Sequence, residues 1–335
     1  MKNYIAFALI LVTILGGCLA SASSINLASD SHNLIVKLNT FYVDDNADSS
    51  WYDTTHFRTI MDAINNASDG YTIFVYNGVY FESVTITKSI SLIGEDKLNT
   101  IIDGSKIIPV EPSEFGASIF RIYKADGVTV SGFTIQNVLT DTFMVDAGFH
   151  IGNSNNDIIS DNIICNIRDA GILIMESNHT ISGNQIINTS TGIWCETFNT
   201  TITMNTITNE REGILSWGAN GNRFTWNVIS NCIQGILFLE SSNNLIKRNE
   251  IRGNTEGIFL SMSKRNKFYE NNFIESGYAG HVEFKGWSFF NKWRRNYWDN
   301  QIIHILPKIL VGRFGGLPIP WFNFDWHPAR KPYEI

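Results

Sequence analysis

The chain has 335 residues, of which 44% are hydrophobic and 17% are charged, and its formal net charge at pH 7 is −7. A pI of about 5.5 argues against nucleic acid as a partner, because domains that bind nucleic acid carry an excess of Lys and Arg. Length alone would allow one to three domains.

The first 22 residues predict export. Lys2 is followed by an apolar run from residue 4 to residue 15, which is short for a bilayer, and then by the small residues Ala20-Ser21-Ala22, a suitable cleavage site. Leu15-Gly16-Gly17-Cys18 also resembles a lipoprotein box, which would place a lipid on Cys18 and tether the protein to a membrane. Cleavage after Ala22 and lipidation of Cys18 both stay open. Either one predicts an extracellular or cell-surface location.

Residues 23–69 form a predicted N-terminal segment. Phe41–Asp45 has the pattern of a strand, and Thr55–Ala67 has the pattern of a helix with Phe57, Ile60 and Ile64 on one face. A solenoid exposes its core and strand edges at each open end. We therefore predict that this helix caps the repeat that follows.

Residues 70–300 are dominated by an internal repeat with the phrase apolar-x-x-Asn-x-apolar. Its asparagines are 21 or 22 residues apart, and a column of glycines keeps the same period. The asparagines are Asn162, Asn184, Asn205, Asn227, Asn249 and Asn271. The glycines are Gly148, Gly171, Gly192, Gly213, Gly235, Gly257 and Gly280.

This repeat predicts an all-β fold, a right-handed parallel β-helix solenoid. Short runs of Ile, Phe and Thr broken by Gly and Asn are typical of strands separated by bends. Leucine-rich repeats have a similar period, but they require a Leu framework that is missing here. Asn tolerates the left-handed conformation of a sharp bend, and stacked amides can hydrogen-bond along the rod. The Asn column is therefore predicted to be an architectural ladder.

Several segments support a family resemblance. Gly78–Ile86, Ser91–Gly94 and Thr100–Gly104 resemble the opening of exported carbohydrate-associated (CASH-type) β-helix proteins, which include NosD-type copper-accessory proteins and pectinesterases. The tail Pro320–Pro328 is similar to endings of such proteins in archaea. The likeness covers roughly residues 40 to 300. It implies the fold, export and an association with carbohydrate, while the shared residues are architectural.

Recognisable catalytic and metal motifs are missing from the sequence. Neither the polygalacturonase-like set of Asp-Asp, Gly-His-Gly and Arg-Ile-Lys motifs on the rod nor the Gln-Asp pairs of pectinesterases occur. Glu196 and Glu240 lie two coils apart, near the spacing that glycosidic acid–base chemistry uses. His150, His179 and His281 fall at different positions of the repeat, so no metal site and no cofactor is predicted. Catalytic residues are left unassigned.

A candidate binding surface follows from strand alternation. The residue two places after each Gly should point outward, which gives the column His150, Leu173, Trp194, Leu215, Leu237, Phe259 and Val282. An outward apolar stripe needs a cover, either the protein's own tail or a ligand. Aromatic rings with neighbouring acids suit sugar rings. We predict substrate contacts at Trp194, Glu196, Trp217, Glu240 and Phe259, with the part around Trp194 left open.

Residues 301–335 are predicted to form an aromatic and Pro-rich C-terminal cap. The resulting hypothesis is a monomeric, exported β-helix module that binds polysaccharide or a surface partner. Two alternatives stay open: a polysaccharide lyase or hydrolase, and a NosD-like copper-accessory protein or structural surface rod.

Overall fold

A computed structural model describes residues 39–106, 118–138, 145–276, 280–303, 305–313 and 320–335. The predicted export signal, with Cys18 and Ala22, lies outside these residues. Within the described ranges, no helix is both long enough and apolar enough to cross a bilayer.

The chain winds into a parallel β-solenoid of about 9 turns, which confirms the predicted fold. Each coil contributes strands to three sheets, here called A, B and C, and each strand pairs in parallel with its equivalents in the coils above and below. Sheet A has the order β2 (His56–Phe57), β1 (Thr40–Val43), β3 (Thr72–Val75), β6 (Ser91–Gly94), β9 (Thr129–Ser131), β12 (Ile158–Ser160), β15 (Thr180–Ser182), β18 (Thr201–Thr203), β21 (Arg223–Thr225), β24 (Leu245–Lys247), β27 (Lys267–Tyr269), β30 (Lys292–Arg294), β33 (Pro320–Asp325) and β32 (Lys308–Arg313).

Sheets B and C complete the coils. Sheet B contains β4 (Gly78–Tyr80), β7 (Thr100–Asp103), β10 (Thr134–Val138), β13 (Ile163–Ile167), β16 (Gln185–Ile187), β19 (Thr206–Thr208), β22 (Val228–Ser230), β25 (Glu250–Arg252), β28 (Asn272–Ile274) and β31 (Tyr297–Trp298). Sheet C contains β5 (Val84–Ile86), β8 (Ser118–Tyr123), β11 (Ala147–Gly152), β14 (Ala170–Ser177), β17 (Thr191–Phe198), β20 (Glu212–Trp217), β23 (Gln234–Leu239), β26 (Glu256–Ser261) and β29 (Gly280–Lys285).

The core is a set of stacked columns of β-branched and aromatic side chains. In sheet B, for example, Ile186, Ile207 and Ile229 are fully buried and occupy equivalent positions of successive coils. The glycine column has a steric cause. A Cβ on Gly213 would lie 2.5 Å from Ile229 Cγ2 and 2.6 Å from the Gly235 carbonyl oxygen. The bend into sheet C is therefore too crowded for a side chain.

The predicted Asn ladder is confirmed. The six predicted asparagines are fully buried. Asn205 Oδ1 accepts from the backbone N–H and the amide of Asn184, both at 3.0 Å, and its own amide donates to Asn227 Oδ1 at 3.0 Å. The ladder continues through Asn296 and ends on the Asp325 carboxylate, which accepts from the Asn296 backbone at 2.9 Å.

The expected conformation of these asparagines was wrong. The left-handed residue is the one before each Asn, for example Met204 at φ 56° and Trp226 at φ 59°. The Asn itself turns its side chain inward, where the ladder holds it. A second ladder, which the sequence did not predict, runs at the bend between sheets C and A through Asn222, Asn244 and Asn266.

The N-terminal helix is shorter than predicted. Helix α1 spans Ile60–Asn66, with Thr59 as N-cap, and Phe57 belongs to strand β2 instead. The Asp53 carboxylate accepts from the backbone N–H groups of Thr55 and His56, at 2.7 and 2.9 Å, and holds that stretch outside the helix. A short 3₁₀ helix covers Gly104–Lys106.

The C-terminal segment forms an antiparallel hairpin, β32–β33, and β33 pairs with β30 of the last coil. Leu310 of this hairpin is buried in the main core, and the Asn272 amide donates to the Tyr333 carbonyl oxygen at 2.8 Å. The capping roles and the boundaries at residues 22, 69 and 300 stay predictions.

Candidate functional site on the outer face of sheet C

The outward column of sheet C has the predicted register over most of its length. His150, Leu173, Trp194, Leu215, Leu237 and Phe259 pair with one another in successive coils. The last predicted member was wrong, because Val282 pairs with Ile258 and packs against the core. Gly280 aligns with Glu256 rather than with Gly257, so Glu283 takes the outward position beside Phe259.

This column is not a bare apolar stripe. His150, Leu173 and Leu215 are buried, whereas Trp194 and Phe259 are half-buried. Leu173 forms a small cluster with Ala147 and Ala170, against which Trp194 packs. The C-terminal hairpin lies against β29 and β30, at the end of the rod. At Leu173 the column is therefore covered by its own neighbours.

Two indoles lie side by side on adjacent coils of this face. The Trp194 and Trp217 rings are stacked at 12°, with their centroids 6.4 Å apart. Trp194 Nε1 donates to Glu196 Oε1 at 2.9 Å, which fixes the ring orientation. Trp217 is 46% exposed. The pair forms an aromatic platform, defined here as Trp194 and Trp217, whose open part is Trp217.

A depression of about 320 Å³ borders the platform at the bend that leads into sheet C. It is lined by Val145, Arg168, Asp169, Ser190, Thr191, Trp194 and Arg211. Arg168 binds Asp169 at 2.9 Å, and Arg211 binds Glu212 at 2.7 Å. Each guanidinium is thus balanced by a carboxylate. The depression offers hydrogen-bond donors and acceptors without a strong net charge.

A second polar cluster lies further along the same sheet, beside Phe259. Glu256 is nearly fully buried, and its Oε2 accepts from Gln234 Nε2 at 2.6 Å. Burial raises the pKa of Glu256 to about 7, and the charge of Glu283 adds to this rise. Glu283 is paired with Lys285 at 3.0 Å. A carboxyl group that holds its proton near neutral pH can act as a general acid.

Glu210 has a structural role despite a similar shift. Burial raises the pKa of Glu210 to about 7. Its carboxylate accepts from the Thr189 hydroxyl at 2.8 Å and from the Thr189 backbone N–H. It therefore occupies, at the bend between sheets B and C, a position like those of the ladder asparagines.

The structure brings together some of the predicted site residues. Trp194, Glu196 and Trp217 form one group. Glu240 lies at the left-handed bend after β23, with φ 51°. Phe259 lies two coils beyond Trp217, and Lys285 Nζ of the next coil is 4.8 Å from its ring centroid. Sequence reasoning missed Glu256 and Glu283. The shift of register at Gly280 hid their proximity.

The histidines and cysteines of the described part do not fit a copper site. His179 is buried, and its Nε2 lies 2.8 Å from the Met175 carbonyl oxygen. His281 is held between Ser276 and Asp299 at 2.6 and 2.7 Å. The Cys195 thiol is buried with its Sγ 2.9 Å from Thr197 Oγ1, and burial raises its pKa to about 12. Within the described ranges, no three His, Cys, Asp or Glu side chains group as a metal site.

Comparison with known proteins relates this chain to one family and to a group of solved structures. The model of the family described as periplasmic copper-binding protein (NosD) matches residues 64–238 and 180–304. No curated protein matches the chain.

Three solved structures share the fold. A mannuronan C-5 epimerase A-module from Azotobacter vinelandii is 15% identical, with 67% of this chain and 74% of that chain covered and a TM-score of 0.51. The enzymatically active domain of bacteriophage CBA120 tailspike protein 2 is 15% identical, with 72% and 40% covered and a TM-score of 0.55. A lacto-N-biosidase from Eubacterium ramulus is 14% identical, with 77% and 60% covered and a TM-score of 0.51. At these identities the likeness shows the fold alone.

Proposed function

Since the chain belongs to the NosD family, whose model matches more than half of it, we propose that it is an exported β-helix protein that binds polysaccharide along the outer face of sheet C. The observation that carries the proposal is the aromatic platform, in which Trp217 is exposed and Trp194 is oriented by Glu196.

The chemistry of the face suits an extended sugar chain. Indole faces stack on the apolar faces of sugar rings, and the platform presents two such faces on successive coils. Beside it, Arg168 and Arg211 offer donors, while Glu196, Asp169 and Ser190 offer acceptors for hydroxyl groups. Because each Arg is already paired with a carboxylate, recognition rests on hydroxyl groups more than on charge.

The structural neighbours support this proposal only in outline. Their names include a mannuronan epimerase and a lacto-N-biosidase, proteins that act on carbohydrate. The copper association of the family receives no support from the described donor set, because the buried His and Cys side chains are already engaged.

The test is a polysaccharide array probed with wild-type protein and with Trp217→Ala, followed by affinity electrophoresis in each polysaccharide that binds. Trp217→Ala should weaken binding about tenfold or more, because a hot-spot aromatic contributes about 2 kcal/mol. Trp226→Ala is the matched control, since Trp226 is 37% exposed but lies at the bend between sheets A and B. Equal loss in both variants, or an array without any binding, would refute the proposal and leave a structural rod.

A second candidate function is polysaccharide cleavage, favoured by the Glu256–Glu283 cluster. Glu256 would give its proton to the glycosidic oxygen as the C–O bond breaks, and Glu283 would take a proton from the water that forms the new C–O bond at the anomeric carbon. A reducing-end release assay on the bound polysaccharides tests this. Activity that falls above pH 7 and disappears in Glu256→Gln would support cleavage, whereas binding without release at any pH would exclude it.

A further inference from the structure

Exposed apolar side chains are concentrated at the C-terminal end of the rod. The described residues include 21 exposed large hydrophobic side chains, and 11 of these lie after residue 286. Among them are Ile302 and Ile305, at 95% and 75% exposure, in the loop before the β32–β33 hairpin. Monomeric soluble proteins rarely expose a contiguous apolar surface of this kind without a function.

Apolar side chains of the β32–β33 hairpin share its outer face. In the hairpin register, Ile309 pairs with Phe324 and Val311 pairs with Phe322, so these four side chains point the same way. Trp326 stacks on Phe324 with their ring centroids 5.1 Å apart. The opposite face of the hairpin carries Leu310 and Asp325, which are buried. The apolar residues therefore face away from the core.

Strand β30 extends this face with positive charge. Trp293 is in register with Asp325, and both side chains point inward, so the flanking Lys292 and Arg294 lie on the outer face next to Phe324 and Trp326. Both basic side chains are exposed, and neither is paired with a carboxylate in the described part of the chain. We call this surface the terminal patch: Lys292, Arg294, Ile309, Val311, Phe322, Phe324 and Trp326.

The patch is held rigidly. Asp325 accepts hydrogen bonds from the backbone of Arg295 and Asn296, at 3.1 and 2.9 Å, and from Trp298 Nε1 at 3.3 Å. Leu310 is buried in the core, and Gly312 lies so close to Phe284 that an added Cβ would meet its ring at 2.2 Å. A preorganised surface binds without a large ordering cost.

We propose that the terminal patch docks the protein on an anionic lipid surface. Trp side chains favour the membrane interface, aliphatic side chains insert below the headgroups, and Lys or Arg attract anionic headgroups. Charge argues against the same end of a second copy as the occupant. From residue 287 to the end there are seven Lys or Arg and three Asp or Glu, of which Asp325 is buried, so two such ends would repel each other.

The experiment measures quenching of tryptophan fluorescence in the full chain by vesicles of brominated phosphatidylcholine, with and without brominated phosphatidylglycerol. Quenching requires a Trp at the bilayer, and no Trp precedes Trp51, so the predicted export signal of residues 1–22 has no Trp that could produce the signal. We expect quenching that depends on phosphatidylglycerol and weakens with added salt.

Variants locate the contact. Ile309→Ser combined with Phe322→Ser should lower vesicle partitioning about tenfold or more, because two exposed apolar side chains no longer insert. Lys292→Gln combined with Arg294→Gln should remove most of the dependence on phosphatidylglycerol. The matched control is Leu98→Ser combined with Ile233→Ser, which are 66% and 56% exposed away from the patch, and it should partition like wild type.

Three results would overturn the proposal. The first is equal partitioning of the patch variant and the control. The second is quenching that ignores phosphatidylglycerol. The third is sedimentation showing end-to-end oligomers that the patch variant abolishes, without vesicle binding, which would make a second copy the occupant. Polysaccharide binding is measured separately, so failure here leaves the sheet C proposal standing.

Discussion

Asn205→Ala tests how much the Asn ladder contributes to the fold. The Asn205 side chain accepts from the Asn184 backbone N–H at 3.0 Å and donates to the Ile181 carbonyl oxygen at 2.9 Å. The substitution removes these two bonds and the side chain's other bonds, to the Asn184 amide, the Thr203 carbonyl oxygen and Asn227 Oδ1. Each buried group left unpaired costs about 1–3 kcal/mol. Asn184 Nδ2 keeps its bond to the Ile159 carbonyl oxygen. We therefore expect a loss of about 2–5 kcal/mol of unfolding free energy.

Urea unfolding followed by circular dichroism measures this loss as a shift of the midpoint. Thr206→Ala is the matched control, because Thr206 is the next residue and its side chain is exposed on β19. It should change the free energy of unfolding by less than about 0.5 kcal/mol. A loss below about 1 kcal/mol for Asn205→Ala, or an equal loss in the control, would refute the view that the ladder stabilises the rod.

Three further predictions concern the pH response, the rod end and the platform. The folded pKa of Glu256 is raised to about 7, so its protonated carboxyl group contributes fully to stability below its unfolded pKa, and this contribution is lost as the pH rises through 7. Glu256→Gln should therefore raise the free energy of unfolding at pH 8 by about 1–2 kcal/mol in urea unfolding. An unchanged pH dependence of stability in this variant would contradict the shift. Deletion after Asp299 removes Leu310 and Asp325 and should cause association or aggregation in sedimentation runs, whereas a stable monomer would argue against the cap. In thermal unfolding, Trp194→Ala should lower the free energy of unfolding by about 2–4 kcal/mol, and Trp217→Ala by less than about 1 kcal/mol. Equal losses in the two variants would contradict the different burial of the two side chains.

The solenoid could be predicted because its determinants repeat. Asn at a period of 21 or 22 residues has one role in every coil, so the spacing alone predicted the ladder that links Asn162 to Asn271. The second ladder could not be found in this way. In the coils before Asn222, the equivalent positions hold Asp157, His179 and Thr200 instead of Asn, so no residue type repeats there. Each of these side chains still accepts from the backbone N–H of the equivalent residue one coil earlier.

The site was only partly predictable, since it depends on register and burial. Alternation placed Trp194 outward, but the indole is half-buried against Leu173, which a pattern of residue types does not reveal. One shift of register at Gly280 moved Val282 inward and brought Glu283 to the outer face. The helix start was missed because the Asp53 carboxylate binds the backbone of Thr55 and His56 outside the helix.

Hydroxyl-radical footprinting of tryptophan tests the central claim most directly, with wild-type protein alone and with a saturating polysaccharide identified on the array. Trp217 and Trp226 are 46% and 37% exposed, so both should be oxidised readily in the free protein. If polysaccharide binds along the outer face of sheet C, oxidation of Trp217 should fall several-fold on binding, while that of Trp226 stays constant. Protection of Trp226 with Trp217 still oxidised at its free rate would contradict the account and place the binding face elsewhere on the rod.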